Sequence, residues 1–562
     1  MTNIEDLGEV ISTDLLIIGG GFGGLLAAIK SKEEQPDVNV LIVDKQTIGY
    51  AGKAGKGGGI LTALGPDDDL ESFVEQHVKE IGDYLNDQEL LYAYAREMTP
   101  NIEQLAQWGA EYQKDADGKM SLIAREGTSW SLAAVDLDMM LPLRRKARKL
   151  GAKTMNKIQV VDLLKEGNRV SGAVGFDIIE GRFYIFKSKA TILANGSCNY
   201  KVMRMWSSAN GDGIATAYRA GAEMRNAEFG NFYDLLNTDT NTPAVFGHSY
   251  LYNAQGDNLF ERYVNRPQPD IPLAIVLGIE KEVREGRGPV YLDYAAFQDY
   301  RSKLYSTQWN RPHHSAFYGR AAEKFKQFGH TNQKPEVALA FHAELSPVKV
   351  DHNMKTTLEG LWAIGDTSYA GSGWAGAVFA PPARKRGSGL GNALFSALRA
   401  APPAARFAMD SAPVEVDPQQ VARLKENVFD PMQRAQGVRP VEVVRDIQGI
   451  IVPVKYNLRR TRDRLEEALG KLEVIQQKLP QLYAKDYHGL FNCHEARAMA
   501  VCAEMTFRSA LVRTESRGWH YREDYPQRDD KNWLKWVIVK QEAGEMVTRT
   551  EPIPIERYTY KP

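Results

Sequence analysis

The sequence predicts an α/β fold built around a parallel sheet, and three neighbouring features predict it. An apolar run at residues 15–18 has the composition of a buried strand, a turn containing Gly19, Gly21 and Gly24 follows, and residues 25–29 continue as a helix. This G-x-G-x-x-G order is typical of the Rossmann-like units that bind dinucleotides. Gly19 makes the tight turn, Gly21 lets the backbone approach a pyrophosphate, and Gly24 lets helix and strand pack closely. The helix N-terminus then faces the phosphate charge.

A second predicted strand, residues 38–43, supports this interpretation because it ends in an acidic residue. Asp44 follows it, at the distance from Gly24 where a ribose-binding carboxylate belongs. Asp44 and the adjacent Lys45 are therefore candidate contacts to a dinucleotide. The alternative is an ordinary glycine-rich turn between a strand and a helix.

Composition limits the classes of function. The chain has 562 residues, which suggests two to four domains. Its net charge of −1 provides no positive electrostatic field that would attract nucleic acid. Its three cysteines include no C-x-x-C pair, so a four-cysteine iron–sulfur cluster within this chain is excluded. His313 and His314 lack partners at metal-ligand spacing, and we expect no metal. Residues 1–12 have no apolar signal core and no run approaches membrane-spanning length, so we expect a soluble, cytoplasmic protein.

A glycine-rich stretch follows Asp44, at residues 48–60. Such a stretch can lay backbone against a flat ligand face, where any Cβ would clash. Gly52, Gly58 and Gly59 are therefore candidate cofactor contacts. A flexible loop is the alternative.

Two later segments indicate which dinucleotide binds. Residues 189–197 resemble the T-x-x-x-L-A-T-G-G segment of FAD-dependent two-dinucleotide-fold enzymes, and residues 357–366 resemble their strand-G-D motif, whose aspartate binds FAD ribityl hydroxyls. A second G-x-G-x-x-G after a strand is not evident. FAD rather than NAD is thus the expected cofactor. The candidate contacts in these two segments are Ala194, Asn195, Gly196, Gly365 and Asp366.

Three further segments identify a family. Residues 211–224 resemble the G-D-G-x-x-x-A-x-x-A-G-A segment of fumarate reductase and succinate dehydrogenase flavoproteins, and residues 515–526 resemble their E-S-R-G-x-H-x-R-x-D-x-P signature. Residues 387–394 resemble their G-S-N-S-L segment, which approaches the flavin. The superfamily also includes L-aspartate oxidase and the α subunit of adenylylsulfate reductase. The resemblance covers about residues 12–545 and adds Asp212, Ser388 and Leu390 as candidate FAD contacts.

The resemblance implies a two-dinucleotide-fold, Rossmann-like FAD domain with an inserted capping domain and a C-terminal helical domain. The expected divisions are 1–229 (FAD domain, first part), 230–340 (capping and substrate domain), 341–405 (FAD domain, second part), 406–510 (helical domain) and 511–562 (C-terminal extension).

Departures from the family pattern indicate which branch of the superfamily the sequence resembles. Gly52 stands where a histidine carries covalent FAD, so FAD is expected to be non-covalent. Gly230 replaces a substrate histidine of the Q-F-H-P-T segment, and Pro272 stands where the catalytic arginine belongs, which argues against succinate–fumarate chemistry. The run at residues 225–229 matches the R-N-x-E-F run of the adenylylsulfate reductase α subunit, and the sequence therefore resembles that branch most.

The same alignment provides candidates for catalysis. His342 aligns with the substrate histidine of the family's H-Y-T-M-G-G segment and is expected to hydrogen-bond an anionic substrate or to move a proton. Lys385 and Arg386 precede the flavin-facing helix, where the family places a substrate-binding arginine. A structural histidine and a solvated charge run are the alternatives.

Together these observations predict an FAD-dependent dehydrogenase or reductase. It would exchange two electrons between a small polar or anionic substrate and FAD, and the resemblance implies onward transfer to a separate, ferredoxin-like iron–sulfur subunit. The alternatives are a stand-alone flavoenzyme resembling fumarate reductase or L-aspartate oxidase, and a flavin electron-relay subunit with no substrate of its own.

Overall fold

The computed structural model describes residues 3–54, 60–124, 129–202, 208–238, 242–243, 250–264, 273–293, 334–369 and 388–562. Its strands are β1 (Glu9–Ile18), β2 (Val40–Asp44), β3 (Ile60–Ala63), β4 (Leu122–Ala124), β5 (Ser131–Ala134), β6 (Lys153–Asn156), β7 (Ile158–Glu166), β8 (Arg169–Asp177), β9 (Phe183–Leu193), β10 (Met224–Arg225), β11 (Asn231–Asn237), β12 (Thr242–Pro243), β13 (Leu251–Tyr252), β14 (Val290–Leu292), β15 (Glu336–Ala343), β16 (Val348–Lys349), β17 (Leu361–Ala363), β18 (Ser368–Tyr369), β19 (Lys535–Glu542) and β20 (Glu545–Pro552). Its helices are α1 (Phe22–Glu34), α2 (Leu70–Gln76), α3 (Gln88–Gln107), α4 (Met140–Lys149), α5 (Asp212–Arg219), α6 (Leu259–Tyr263), α7 (Leu273–Arg284), α8 (Ser388–Asp410), α9 (Pro418–Phe429), α10 (Pro440–Ile451), α11 (Val454–Asn457), α12 (Arg462–Lys478), α13 (Tyr487–Val512) and α14 (Asp530–Trp533).

A seven-stranded sheet forms the centre of the fold. Its order is β6-β2-β1-β9-β8-β7, and β17 also pairs with β9. Strands β6, β2, β1, β9 and β17 run parallel, whereas β8 pairs antiparallel with β9 on one side and with β7 on the other. The predicted α/β fold with a Rossmann-like core is confirmed.

The core of this domain lies between the sheet and helix α1. Residues 15–18 of β1 are almost fully inaccessible to solvent because strands pair on both sides of β1. Helix α1 is apolar around much of its circumference and packs against α8 as well as the sheet. Such a helix is stabilised mainly by burial of its side chains.

A second, antiparallel sheet has the order β12-β11-β15-β14-β13, and we call it the capping sheet because its strands come from the segment expected to form a capping domain. Strand β15 continues to Ala343, and His342 pairs with Phe232 of β11. The boundary expected between residues 340 and 341 therefore falls inside a strand, because the ladder between β11 and β15 holds this segment in the capping sheet. His342 consequently lies on the capping sheet.

The C-terminal part begins with a series of packed helices, α8 to α13. The boundary expected between residues 405 and 406 falls inside α8, because the buried face of that helix continues through Ala408. Helix α12 buries Leu465, Leu472 and Ile475 and leaves its charged residues outside. It packs against α13, the longest helix of the described chain.

The C-terminal extension is tied back to the FAD domain. Strands β19 and β20 form a hairpin at one end of a sheet with the order β18-β16-β10-β19-β20. Beneath it, the fully buried Arg513 donates from Nε to Glu228 Oε1 at 2.8 Å and from Nη1 to Glu515 Oε1 at 2.8 Å. The E-S-R-G segment that contains Glu515 therefore contributes to a buried charge network between domains.

Candidate active site

The carboxyl edge of the central sheet brings the three predicted FAD segments together. Ile18 is in register with Leu193, and Leu193 is in register with Ala363. Because these strands are parallel, the segments that follow them emerge at the same edge. The turn that begins at Gly19, the segment 194–196 and the segment 365–366 are therefore neighbours in space.

Two glycines of the turn occupy positions that no other residue could take without displacing backbone. Gly19 has φ +116°, and a Cβ there would lie 2.3 Å from the carbonyl oxygen of Ala194. A Cβ on Gly24 would lie 1.9 Å from the carbonyl oxygen of Gly19. Gly21 is the N-cap of α1 and has no side chain over the helix end. The first amide groups of α1 lack partners within the helix, which suits them to a pyrophosphate.

Gly52 lies directly against this turn. Its Cβ position is 3.7 Å from Gly21 Cα, and its φ is +79°. The loop therefore approaches the phosphate-binding turn through backbone atoms, and residue 52 has no side chain that could form a covalent bond to a cofactor.

Asp44 ends β2 as predicted, and its carboxylate is anchored by backbone. Oδ2 accepts from the amide of Gly20 and Oδ1 from the amide of Gln46, each at 2.5 Å. Burial raises the pKa of Asp44 in spite of these hydrogen bonds. A carboxylate has about four acceptor positions, so two bonds to backbone leave capacity for a ribose hydroxyl.

Lys45 and Asp212, two predicted contacts from distant segments, form an ion pair. The Nζ of Lys45 lies 2.5 Å from Asp212 Oδ2 and 2.6 Å from Glu495 Oε1. Burial disfavours the charge of Lys45, but the two carboxylates outweigh burial and raise its pKa. Glu495 also binds Lys201 Nζ at 2.6 Å. The sequence did not single out Glu495; a glutamate on the apolar helix α13 was the available signal.

Hydrogen bonds that involve a serine and a threonine side chain hold the third FAD segment in place. The amide of Gly365 donates to Ser396 Oγ on α8 at 2.8 Å, and Thr367 Oγ1 donates to the carbonyl of Gly196 at 3.2 Å. Asn195 packs so closely on Gly213 that a Cβ there would lie 2.5 Å from Asn195 Oδ1. The hydrogen bond between Thr367 and Gly196 fixes the third FAD segment relative to the segment 194–196.

A second group of polar side chains lies beside these segments. Lys53, from the glycine-rich loop, has its Nζ 2.8 Å from Ser197 Oγ, 3.0 Å from Glu344 Oε1 and 3.2 Å from Asp366 Oδ2. His342 Nε2 lies 3.1 Å from the same Oε1 of Glu344. The cluster thus joins the predicted catalytic histidine to the predicted ribityl-binding aspartate.

The electrostatics of this cluster follow from its burial. Burial raises the pKa of Asp366, and the Lys53 ammonium opposes that shift while the Glu344 carboxylate adds to it. Burial disfavours the charged Lys53, but Glu344 and Asp366 raise its pKa above the ordinary value. Lys53 therefore remains an ammonium ion between two carboxyl groups.

The ring of His342 is held from one face. It stacks on Phe232 with the ring centroids 4.4 Å apart and an interplanar angle of 21°. His342 is only 1% exposed, and Trp519 packs behind Phe232. A buried, oriented imidazole with a carboxylate partner is suited to proton transfer.

Other predicted site residues have different outcomes. Helix α8 is described from Ser388 onward, and Leu390 is half-buried near its start. Gly58, Gly59, Lys385, Arg386, Pro272, His313 and His314 lie outside the described residues. Lys53, Ser197 and Glu344 were missed by the sequence reasoning. Their available signals were a lone cation among glycines, a serine replacing the last glycine of L-A-T-G-G, and an acid two residues after His342.

The segment that follows β15 explains the glycine at position 230. A Cβ on Gly230 would lie 2.8 Å from Leu345 Cα, and the Gly230 carbonyl accepts from the amide of Glu344 at 2.9 Å. Leu345 therefore crowds the space that a histidine side chain at position 230 requires.

The residues present fit FAD. The glycine turn leaves a helix N-terminus with no side-chain cap, Asp44 ends the second strand, and Gly365 and Asp366 emerge beside them. Fold and site together define an FAD-binding oxidoreductase.

Comparisons with known proteins identify two domains. A model described as FAD binding domain matches residues 14–233, and one described as fumarate reductase flavoprotein C-term matches residues 450–562. The chain therefore contains an FAD binding domain and a C-terminal domain of the fumarate reductase flavoprotein type, and its cofactor is FAD.

Relatives of known name agree with this assignment. The chain is 27% identical to a subunit of the CoM/CoB fumarate reductase of Methanothermobacter marburgensis, over 95% of this chain and 98% of the relative. It is 25% identical to the fumarate reductase flavoprotein subunit of Mycobacterium tuberculosis (97% and 98%) and 26% identical to L-aspartate oxidase of Acinetobacter baylyi (92% and 94%). The first two relatives are named as subunits of larger enzymes.

Solved structures share the fold. Quinol fumarate reductase of E. coli superposes with a TM-score of 0.84 at 20% identity, covering 99% of this chain and 98% of that one. Adenylylsulfate reductase of Archaeoglobus fulgidus superposes with a TM-score of 0.79 at 22% identity, covering 98% and 97%. Among the described helices, none combines the length and apolar composition that crossing a membrane requires.

Proposed function

We propose that this FAD-dependent oxidoreductase exchanges two electrons with a small polar or anionic substrate beside His342. One observation carries the proposal: His342 and Glu344 meet Lys53 and Asp366 next to the carboxyl ends of the FAD-binding strands. Proton-moving and charged groups at that edge are what two-electron chemistry on a polar substrate needs.

The residues that would hold FAD follow from the carboxyl edge. Gly19, Gly21 and Gly24 would accommodate the pyrophosphate, Asp44 the ribose, and Asp366 the ribityl chain as the family resemblance implies. When bound, FAD supplies the two-electron chemistry. Gly52 cannot form a bond to FAD, which supports non-covalent binding.

The chain's own residues supply orientation, shielding and a proton. His342 holds or moves a proton at its imidazole, and Phe232 fixes the ring and excludes water from one face. The predicted cations Lys385 and Arg386 would favour an anionic substrate.

We also propose that electrons leave through a separate iron–sulfur carrier. The three cysteines of the chain, Cys198, Cys493 and Cys502, are all buried and free of disulfides. A four-cysteine cluster cannot be built from them. The subunit names of the relatives and the resemblance to the adenylylsulfate reductase α subunit support a partner with ferredoxin-like clusters.

A stand-alone flavoenzyme resembling fumarate reductase or L-aspartate oxidase is the second candidate. The names of two relatives favour fumarate as the substrate, although both are named as subunits. Against fumarate stands Gly230, because Leu345 crowds the position of the family's substrate histidine. A flavin relay without a substrate is disfavoured by the His342 cluster.

Anaerobic reduction of the purified FAD protein tests the proposal. A panel of small anionic substrates, with succinate included, is mixed with the oxidised protein while the visible flavin absorbance is followed. We expect bleaching by a substrate other than succinate, and its loss in His342→Gln with FAD still bound. Bleaching by succinate alone supports the second candidate, and no bleaching by any substrate supports the relay. Acid precipitation is expected to release all flavin.

Co-purification under anaerobic conditions tests the carrier. We expect a small protein with two C-x-x-C-x-x-C-x-x-x-C-P runs to accompany the chain and to accept electrons from its reduced flavin. Direct, complete reoxidation by dioxygen with no such chain would contradict it.

A further inference from the structure

One carboxylate oxygen contacts both the candidate catalytic histidine and a lysine. Glu344 Oε1 lies 3.1 Å from His342 Nε2 and 3.0 Å from Lys53 Nζ. All three side chains are largely buried, with 1% exposure for His342, 9% for Glu344 and 18% for Lys53. Charges so little exposed are only weakly screened by salt.

The three residues come from two separate parts of the chain. Lys53 belongs to the glycine-rich loop after β2, His342 lies in β15 of the capping sheet, and Glu344 directly follows that strand. Asp366 follows β17 and contacts Lys53 at 3.2 Å. The end of the capping sheet, the glycine-rich loop and the segment 365–366 thus meet at one ion cluster.

The charged groups of the described residues that face His342 act in opposite directions. Glu344 contacts Nε2 directly and favours the imidazolium form, and Lys53 lies behind Glu344 and disfavours it. Asp366 acts through its contact with Lys53. Phe232 of β11 covers the ring face and carries no charge.

We propose that Glu344 and Lys53 form an opposed pair that sets the proton affinity of His342 and fixes its ring for the reaction. Glu344 is the positioning residue, because its carboxylate accepts from Nε2 and so selects the tautomer in which that nitrogen carries the proton. Lys53 stabilises the ionised form of Glu344. Its positive charge also weakens the attraction between the Glu344 carboxylate and the imidazolium of His342. The inference deepens the proposed function and rests on the role given there to His342.

The pairing has a chemical consequence for the direction of proton transfer. A carboxylate alone would favour a permanently protonated histidine, which is a poor proton acceptor. An ammonium ion on the same carboxylate brings the pKa of the histidine nearer to neutral pH. At such a pKa the imidazole can both accept and donate a proton. The pair thus suits a reaction in which the substrate's proton and electrons move together in either direction.

The test measures the pKa of His342 directly. FAD-loaded protein is labelled at the ring carbons of its ten histidines and titrated by NMR, and the His342 signal is assigned by its absence in His342→Gln. We expect Glu344→Gln to lower the pKa of His342 by about one to three units, and Lys53→Met to raise it, because a single close charge shifts a pKa by that amount. The double variant is expected to lie between the two single variants.

Glu336→Gln is the matched control because Glu336 lies at the exposed start of the same strand, and its titration is expected to match the unchanged protein. Shifts of the same sign in Glu344→Gln and Lys53→Met, or no shift in either, would overturn the opposed pair. Glu344→Asp is expected to give a pKa of His342 between those of Glu344→Gln and the unchanged protein. A pKa as low as that of Glu344→Gln would also overturn the opposed pair.

The failure of this inference and that of the proposed function are distinguishable. An unchanged rate of flavin reduction by substrate in His342→Gln refutes the role of His342 whatever the titration shows. The titration refutes the opposed pair even where His342→Gln abolishes reduction.

Discussion

Replacement of Gly24 by alanine gives a sharp prediction about the FAD-binding turn. Its Cβ would lie 1.9 Å from the carbonyl oxygen of Gly19 and 3.4 Å from Ile17 Cγ2. Because non-bonded heavy atoms prefer about 3.5–4.0 Å, α1 and β1 have to separate by about 1 Å or more. Overpacking of this kind costs about 1–3 kcal/mol. The displaced atoms are those that would cradle the pyrophosphate, so the loss falls on FAD affinity as well as on stability.

The neighbouring Gly23 supplies a matched control. A Cβ there would meet Ile364 Cδ1 at 3.5 Å, which is ordinary van der Waals contact, and alanine is the better helix former. We expect Gly24→Ala to weaken FAD binding by about tenfold to a hundredfold, following about 1.4 kcal/mol per tenfold, and Gly23→Ala to leave it unchanged. Titration of apoprotein with FAD, followed by flavin fluorescence, measures both dissociation constants. Equal FAD affinity in the two variants would refute the close approach of helix and strand.

Other predictions test the packing and charges around the site. Glu228→Gln removes one of the two carboxylates that the buried Arg513 contacts, and urea unfolding is expected to show a loss of about 1–3 kcal/mol; an unchanged stability would show that the Glu228 contact does not stabilise the fold. Gly230→Ala is expected to destabilise the chain by about 1–3 kcal/mol because its Cβ would lie 2.8 Å from Leu345 Cα. Gly470→Ala, with open space at its Cβ on α12, is expected to stabilise the chain or leave it unchanged, and equal losses in both variants would contradict the packing. Burial lowers the pKa of His494 to about 3 from 6.5, so the unfolded chain binds the extra proton first and stability falls as pH decreases from about 6.5 to about 3. Melting temperatures across that range are expected to depend less on pH in His494→Gln, and an unaltered dependence would refute this assignment.

The central sheet and the position of the FAD segments were predictable from sequence for a local reason. Each segment carries its own strand and its own glycine or aspartate, and parallel strands deliver their carboxyl ends to one edge. The roles of Gly19 and Gly24 follow from the motif alone, because only a residue without Cβ allows such close backbone contact.

The partners of the charged residues could not be predicted in the same way. Lys53 meets Glu344 and Asp366 from three separate segments, and no periodicity relates their positions. Glu495 likewise reaches Lys45 from α13, far along the chain. Such contacts depend on how domains pack, which local sequence patterns do not record.

The domain boundaries show the same limit. The capping sheet extends to Ala343 because β15 pairs with β11 through that residue, and the sequence has no break there. Helix α8 runs past residue 405 because its alanine-rich face remains buried. In both places tertiary packing, rather than a turn signal, decides where the element ends.

The most direct test of the proposed site is an experimental structure of the protein with FAD bound. We predict the pyrophosphate at the N-terminus of α1, the adenosine ribose at Asp44, and the flavin ring beside the cluster of His342, Glu344 and Lys53, with no bond to residue 52. A flavin ring remote from His342, or FAD bound away from the glycine turn, would contradict this arrangement.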